Sequence, residues 1–546
     1  MNEKEFNLLF EPWILVMRKD GEVEEVSLLG AFERAHEFLG LSGELPTQDI
    51  AVLRLLLAVL HAVFARYDLR GNEAPLTTPN DALMRFKALY ESGAFPMDVI
   101  RAYLAHFEER FYLFHPTRPF YQVAALRNRQ DVFGPFKPAK LNGILCESDN
   151  EANRRLFPQR ALEGKSSLTY AEAARWLLYT NAFTETFGKL AAKNKLHKDD
   201  PSPGVGWLGK LGLVAAEGSS LFETLLLNLV LIKDGESMWG KEKPIWEEAH
   251  ERINERVQIV LPDNQSELLT LQSRRFLLTR KDGVVTSYIL LAGDFFLSEN
   301  AFSEQMTMWR NASKEGSPPR YLPKLHDPAR SLWRDFPSLF SQSEQQHHSG
   351  VINWIYYLRS KDMFRERPLR IRTTGVIYSS QLSAIEDSFS DSMTFSFDIL
   401  SKLNADWVSR IIGEIELTEK LVRQTAYLAK SIAMASGDAD GKSDFELAAG
   451  QSYFRLDLPF REWLSSLNPE VDDLDGRCDE WFELAQQIVR KLGGELVSQA
   501  GVSAFVGREV SERIKGNAQK RRYTAPEAYN RFLYFTSTRS ALTQGG

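Results

Sequence analysis

The chain has 546 residues, 43% apolar and 25% charged, with a formal net charge of −7. That length exceeds one ordinary core and calls for two or three domains. The acidic balance argues against a generally basic nucleic-acid coat protein, but it leaves room for local basic patches, which are what a phosphate backbone meets. The two cysteines, Cys146 and Cys478, stand far apart and in no metal-ligand spacing. A reduced, cytoplasmic protein without a structural disulfide is expected.

The opening MNEKEFNLLFEPW has no basic segment followed by an apolar run and does not read as a signal peptide. Residues 7–29 carry two extended apolar runs joined by Arg18-Lys19-Asp20-Gly21, and Asp-Gly is a strong hairpin turn. Thr47 is placed to cap a helix beginning near Gln48. Within it lies the most apolar window, 50–64, IAVLRLLLAVLHAVF, which contains Arg54 and His61. A bilayer span needs about 20 apolar residues, so this window predicts a buried helix and no membrane.

Residues 80–92 and 97–110 read as helices, 115–121 (HPTRPFY) as a proline-punctuated loop, and 127–165 as loop-rich. Thr169 opens another helix, with Glu172 at capping-box spacing. Residues 274–292 form a second hairpin pattern around Lys281-Asp282-Gly283, and 365–378, RERPLRIRTTGVIY, is a basic extended segment. Residues 403–436, 444–466, 474–502 and 524–542 are long, helically periodic, and separated by Gly, Asp and Pro. The expected fold class is α+β: a mixed α/β domain over 1–395, then a C-terminal four-helix bundle over 396–546.

The stretch 201–212, PSPGVGWLGKLG, packs Gly204, Gly206, Gly209 and Gly212 into nine residues. A phosphate-cradling P-loop needs G-x-x-x-x-G-K-[ST], whose hydroxyl holds magnesium. Gly204, Gly209 and Lys210 fit, but Leu211 stands where the hydroxyl belongs, and the preceding stretch is lysine-rich rather than strand-like. A flexible turn is one alternative. Another is backbone laid against nucleic acid, where a missing Cβ permits close approach. Lys189, Lys193, Lys195 and Lys198 upstream, with no acid among them before Asp199, support the latter, while a solvated lysine face is the default explanation for such a run.

The nine histidines are scattered, including the loop pair His347-His348, and no H-E-x-x-H, C-x-x-C or G-x-S-x-G motif occurs. The pattern predicts a chain that does no chemistry of its own and holds no metal or cofactor.

Several segments, in consistent order over nearly the whole chain, resemble the large subunit (CasA family) of the type I-E CRISPR Cascade surveillance complex. They are NLLFEPWILVMRKDGEVEEVSL, GELPTQDIAVLRLLLAVLHAVF, FPQRALEGKSSLTYAEAARWLL, PSPGVGWLGKLG with SLFETLLLNLVL, and GVIYSSQLSAIEDSFSD. The resemblance implies a DNA-recognition subunit of a crRNA-guided antiviral complex. Guide pairing reads the target, while protein reads a short flanking motif, the PAM, in double-stranded DNA. In this family the large subunit reads it largely from the minor groove, helps start strand separation and supports recruitment of a helicase-nuclease. Backbone, small and 5′-handle-binding subunits would be its neighbours.

The same resemblance carries roles onto particular residues. Gly204, Gly206 and Gly209 match the glycine loop laid against the PAM. Gln381, flanked by Ser380 and Leu382, matches a wedge inserted beneath the last PAM pair. Lys281, or alternatively Arg280, matches a minor-groove lysine. Phe157 and Gln159 match a loop anchor near the crRNA 5′ handle. Some members carry a zinc-binding cysteine cluster, which this sequence lacks, so no metal is implied. Lys515, Lys520, Arg521 and Arg522 near one end of the C-terminal bundle match contacts to the displaced strand. The rival readings are a nucleotide-dependent enzyme using the glycine loop and a purely architectural scaffold.

Overall fold

The computed structural model describes residues 4–128, 130–131, 134–135, 139–140, 166–186, 204–249, 258–314, 316–340, 347–364, 367–382, 384–401, 404–514 and 517–544. The chain divides into two compact units. The first comprises Met1–Arg330, Gln342–Tyr357 and Arg370–Ser392, and the second Ser331–Ser341, Leu358–Leu369 and Met393–Gly546. The fold is α+β, as the pattern predicts.

In the first unit, β1 (Ile14–Arg18) and β2 (Val23–Val26) form the expected hairpin. Gly21 supplies the positive φ of +86° that the turn requires. β3 (Phe38–Leu41) pairs with the other edge of β1. Helix α1 (Pro46–Phe64) follows, apolar and buried on almost every face, the mark of a central core helix. Thr47 does not cap it. The cap position is Leu45, no side chain caps it, and Thr47 is buried in the first turn. Pro46 explains the shift: its fixed φ suits the first helical position, and it has no N–H to satisfy. Asp49 and Gln48 instead accept from the backbone of Gly43 and Glu44 at 2.6 and 3.1 Å.

The pattern over 97–110 is shorter in structure: a helix over Met97–Ala105, then a separate turn of 3-10 helix over Glu108–Arg110. Helix α2 (Tyr170–Phe183) begins with the predicted capping box between Thr169 and Glu172. β4 (Leu213–Glu217) comes next, then the short helix α3 (Gln265–Leu269). The hairpin of β5 (Arg274–Lys281) and β6 (Val284–Ala292) turns at Asp282 and Gly283, both at positive φ. β7 (Pro368–Tyr378) and β8 (Ile385–Ser396) join β4 in an antiparallel sheet of order β8-β7-β4.

The second unit contains the long helices α4 (Ala405–Ser436), α5 (Lys442–Ser466) and α6 (Leu474–Ser498). Their core is aromatic. Phe460 stacks on Trp333 at 4.4 Å and meets Trp481 edge-on at 4.9 Å. The indole N–H groups are satisfied, Trp481 by Thr418 and Trp333 by Asp457. A hairpin not anticipated from the sequence, β9 (Arg508–Ile514) and β10 (Asn517–Tyr523), precedes the shorter helix α7 (Ala525–Phe535).

One buried ion pair ties the first unit together. Arg54, from the middle of α1, makes two hydrogen bonds to Glu304, at 2.7 and 3.0 Å, with 3% and 1% side-chain exposure. Removing one partner strands the other charge in the core. Arg54→Ala is expected to cost about 3–5 kcal/mol in denaturant unfolding, with the Arg54→Met, Glu304→Leu double variant costing less than the single.

Candidate nucleic-acid interface

The glycine loop is held from below. Trp207 opens a turn of 3-10 helix, Trp207–Lys210. Its indole N–H donates to Glu304 at 2.8 Å, the same carboxylate that holds Arg54, and its ring lies 4.2 Å from that of Phe296. Arg274, 2% exposed, donates to the carbonyls of Thr184 and Gly204 at 3.2 and 2.8 Å. One buried guanidinium thus joins the end of α2 to the start of the loop.

The three predicted glycines do different work. Gly206 and Gly209 are buried. A Cβ on Gly206 falls on the carbonyl of Ala182, and one on Gly209 falls on the hydroxyl of Tyr378. Gly204 is half-exposed at φ +63°, and the Lys210 side chain folds back over it, so that a Cβ there would lie 3.8 Å from Nζ. The loop amides are spent internally: Gly206 N–H donates to Thr184 O at 2.8 Å and Gly209 N–H to Gly206 O at 3.1 Å. A P-loop runs from strand through cradle to helix, with free amides aimed at phosphate. Here two of the loop amides are taken, and the loop leads into 3-10 helix and strand β4. The geometry opposes the nucleotide-cradle reading.

Gln381 lies in the turn between β7 and β8. The Leu382 N–H donates to Ser379 O at 2.8 Å, and Ser379 N–H to Ala384 O at 3.0 Å, closing a compact tip. Ser380, Gln381 and Leu382 are exposed. Leu382 is 44% exposed at φ +55°, a costly conformation for a bulky residue that is kept only where its surroundings enforce it. The enforcement is visible. Thr186 N–H donates to Leu382 O at 2.7 Å, and at the base of the tip the Tyr378 hydroxyl donates to Phe183 O at 2.7 Å.

The structure therefore brings the two sequence-distant predictions together. Thr184 holds Gly206 and Thr186 holds Leu382. Their anchor points are two residues apart, roughly 7 Å of extended chain. Between them, burial pushes the Glu185 carboxyl above its usual range, opposed by the Arg274 charge. Arg274, Tyr378, Thr184 and Thr186 were not singled out from the sequence, because their roles rest on contacts across the fold. Tyr378 directly preceding the serine-rich tip was the available signal.

The remaining predictions separate from this junction. Lys281 is exposed at the hairpin turn, at the opposite end of β5 from Arg274, roughly 20 Å by strand rise. Arg280 is committed elsewhere, paired with Glu5 at 2.5 Å and lying over the Phe114 ring. Phe157, Gln159, Lys515 and the lysine series 189–198 lie outside the described residues. Lys520, Arg521 and Arg522 sit on strand β10. Arg521 lies over Tyr523, and Arg522 donates to Val506 O. With Tyr427 and Arg531, Arg521 and Arg522 line a cavity of about 260 Å³ within the second unit.

Comparison with known proteins assigns this architecture to a class. The profile of the family described as CRISPR-associated protein Cse1 matches residues 7–492. The fold is similar to Cse1 of Thermobifida fusca (TM-score 0.80, 29% identity, 98% of each chain) and to Cse1 of Acidimicrobium ferrooxidans (TM-score 0.77, 25% identity, 100% and 99% of the two chains). It is also similar in fold to a chain of a CRISPR RNA-guided surveillance complex (TM-score 0.67, 18% identity, 91% and 97% of the two chains). CasA/Cse1 of Thermus thermophilus is 36% identical over 244 residues, which span 45% of this chain and 42% of that relative. The chain belongs to the CRISPR-associated Cse1 family.

Packing at Gly209 gives a direct test. Gly209→Ala is expected to cost about 1–3 kcal/mol through overlap with the Tyr378 hydroxyl. Adding Tyr378→Phe should recover part of the lost melting temperature. An alanine variant as stable as the parent would show that Tyr378 does not pack where described.

Proposed function

We propose that this chain is the duplex-reading subunit of an RNA-guided antiviral complex and that it performs no catalysis. The observation that carries the reading is the joint anchoring of the glycine loop and the hairpin tip on residues 184–186. Two elements far apart in sequence are bonded to one three-residue stretch, the glycine loop through Gly206 and the exposed tip through Leu382.

The chemistry suits a short flanking duplex. Backbone and a lysine near Gly204 meet phosphate and the groove edge without demanding one sequence, since minor-groove patterns are degenerate. Unstacking a base step costs a few kcal/mol, so whatever opens it must replace the lost stacking. Gln381 supplies polar groups for the exposed base edges, and Leu382 supplies an apolar face. Anchoring on Thr186 prevents the tip from simply folding away. Lys281 provides a second, more distant contact. Phe157 and Gln159 serve the crRNA handle, and Lys520, Arg521 and Arg522 meet the displaced strand. A helicase-nuclease then acts on the opened target.

The test is target binding by the reconstituted complex. With Gln381→Ala, affinity for a closed duplex bearing the PAM is expected to fall roughly tenfold or more, while a target already unpaired beside the PAM binds as before. Equal loss on both targets, or none on either, would favour the scaffold reading.

A further inference from the structure

Helix α2 ends at Phe183, and the last four carbonyls of a helix have no partner within it. Two of the four are met from distant parts of the first unit. Asn181 O accepts from the Ser273 hydroxyl at 2.6 Å, just ahead of β5, and the Asn181 side chain accepts from the Arg274 N–H at 3.0 Å. Phe183 O accepts from the hydroxyl of Tyr378, the last residue of β7. One helix end is thus bonded to the base of the β5–β6 hairpin and to the base of the tip that carries Gln381.

Tyr378 has a further neighbour. Its hydroxyl fills the space that a Cβ on Gly209 would need, so the half-buried tyrosine rests against the glycine loop while it is bonded to α2. Ser379 follows directly and starts the tip. Its N–H donates to Ala384 O at 3.0 Å, and its hydroxyl accepts from the Ala384 N–H at 3.2 Å. No free segment separates the tyrosine from the tip. Close-packed groups pass a displacement on rather than absorb it. A shift of the loop at Gly209 therefore reaches the hydroxyl, the end of β7 and the tip beyond.

We infer that Tyr378 is a positioning residue for duplex opening: through its contacts with Gly209 and the Phe183 carbonyl it fixes where Gln381 stands relative to a duplex seated on the glycine loop. The inference rests on the duplex-reading function proposed above. It adds that loop and tip act as one unit, so that disturbing the loop from within disables the tip. Tyr378 itself needs no contact with DNA for this.

Reconstituted complexes test it with two targets, a closed duplex bearing the PAM and the same target already unpaired beside the PAM. Tyr378→Phe keeps the ring and deletes only the hydroxyl, and a thermal melt of the chain shows that it is folded. Its affinity for the closed duplex is expected to fall roughly three- to tenfold, the worth of one hydrogen bond, while the unpaired target binds as it does to the parent. A purely structural role would weaken both targets by the same factor or neither. Gly209→Ala, which crowds the hydroxyl from the loop side at a buried position, should give the same selective loss. Because both act through the tip, either change combined with Gln381→Ala should bind the closed duplex no more weakly than Gln381→Ala alone.

A loss with Gln381→Ala but none with Tyr378→Phe overturns the inference and leaves the proposed function standing. No loss with Gln381→Ala removes both. Equal loss on the two targets with Tyr378→Phe, or losses that add in the double variants, would also overturn the inference.

Discussion

A single buried carboxylate organises the first unit. Glu304 takes two bonds from Arg54, one from the Trp207 indole and one from the Met306 amide. A lone ionised carboxylate is too costly to bury, and even a paired one must have its lone pairs satisfied. Here the partners come from the core helix, the glycine loop and the chain beside Glu304 itself. The loop's position is therefore an electrostatic requirement of the core, not a property of the loop. Arg274 repeats the logic with opposite sign, a buried cation directed at the carbonyls of Thr184 and Gly204.

That requirement changes what the glycines mean. Glycine density in a loop reads naturally as flexibility or as access to a ligand. Gly206 and Gly209 instead allow the loop to press against the end of α2 and against Tyr378. The contact is tight because the loop is pulled inward by Glu304 and Arg274. The part of the loop left half-exposed is narrower: Gly204, with the Lys210 side chain lying over it. A rigid support beneath a small exposed patch suits recognition of a rigid partner such as a duplex, since little ordering entropy is lost on contact.

Legibility followed the range of the interactions. Both Lys-Asp-Gly hairpins were readable because their turns are set by two or three adjacent residues, and the Thr169–Glu172 capping box is just as local. Thr47 misled because a neighbouring proline already satisfied the helix start. The β9–β10 hairpin went unrecognised because REVSERI and NAQKRRY are polar on both faces, without the alternation that a half-buried strand shows. The long helices of the second unit were clear in outline, with ends displaced by a few residues. At the candidate interface, Gln381 and the glycines could be named from resemblance, but the junction joining them could not. Thr186 meets Leu382 and Gly206 meets Thr184 through backbone atoms, which leave no trace in side-chain pattern, and the Tyr378 hydroxyl reaches the Phe183 carbonyl across 195 residues of sequence.

Under the proposed function, the same backbone bonds are what would let an acidic chain face DNA. At a net charge of −7 the long-range field repels a phosphate backbone, so attraction must be local and its groups held in place. The hairpin itself is acidic beyond its tip, with Glu386 and Asp387 at the start of β8. A mobile tip would spend much of its time turned away from the duplex. Fixing Leu382 at positive φ by bonds from both neighbouring segments removes that freedom. The strain at Leu382 is thus a stability cost met by the surrounding fold, and what it secures is orientation of an uncharged tip rather than attraction.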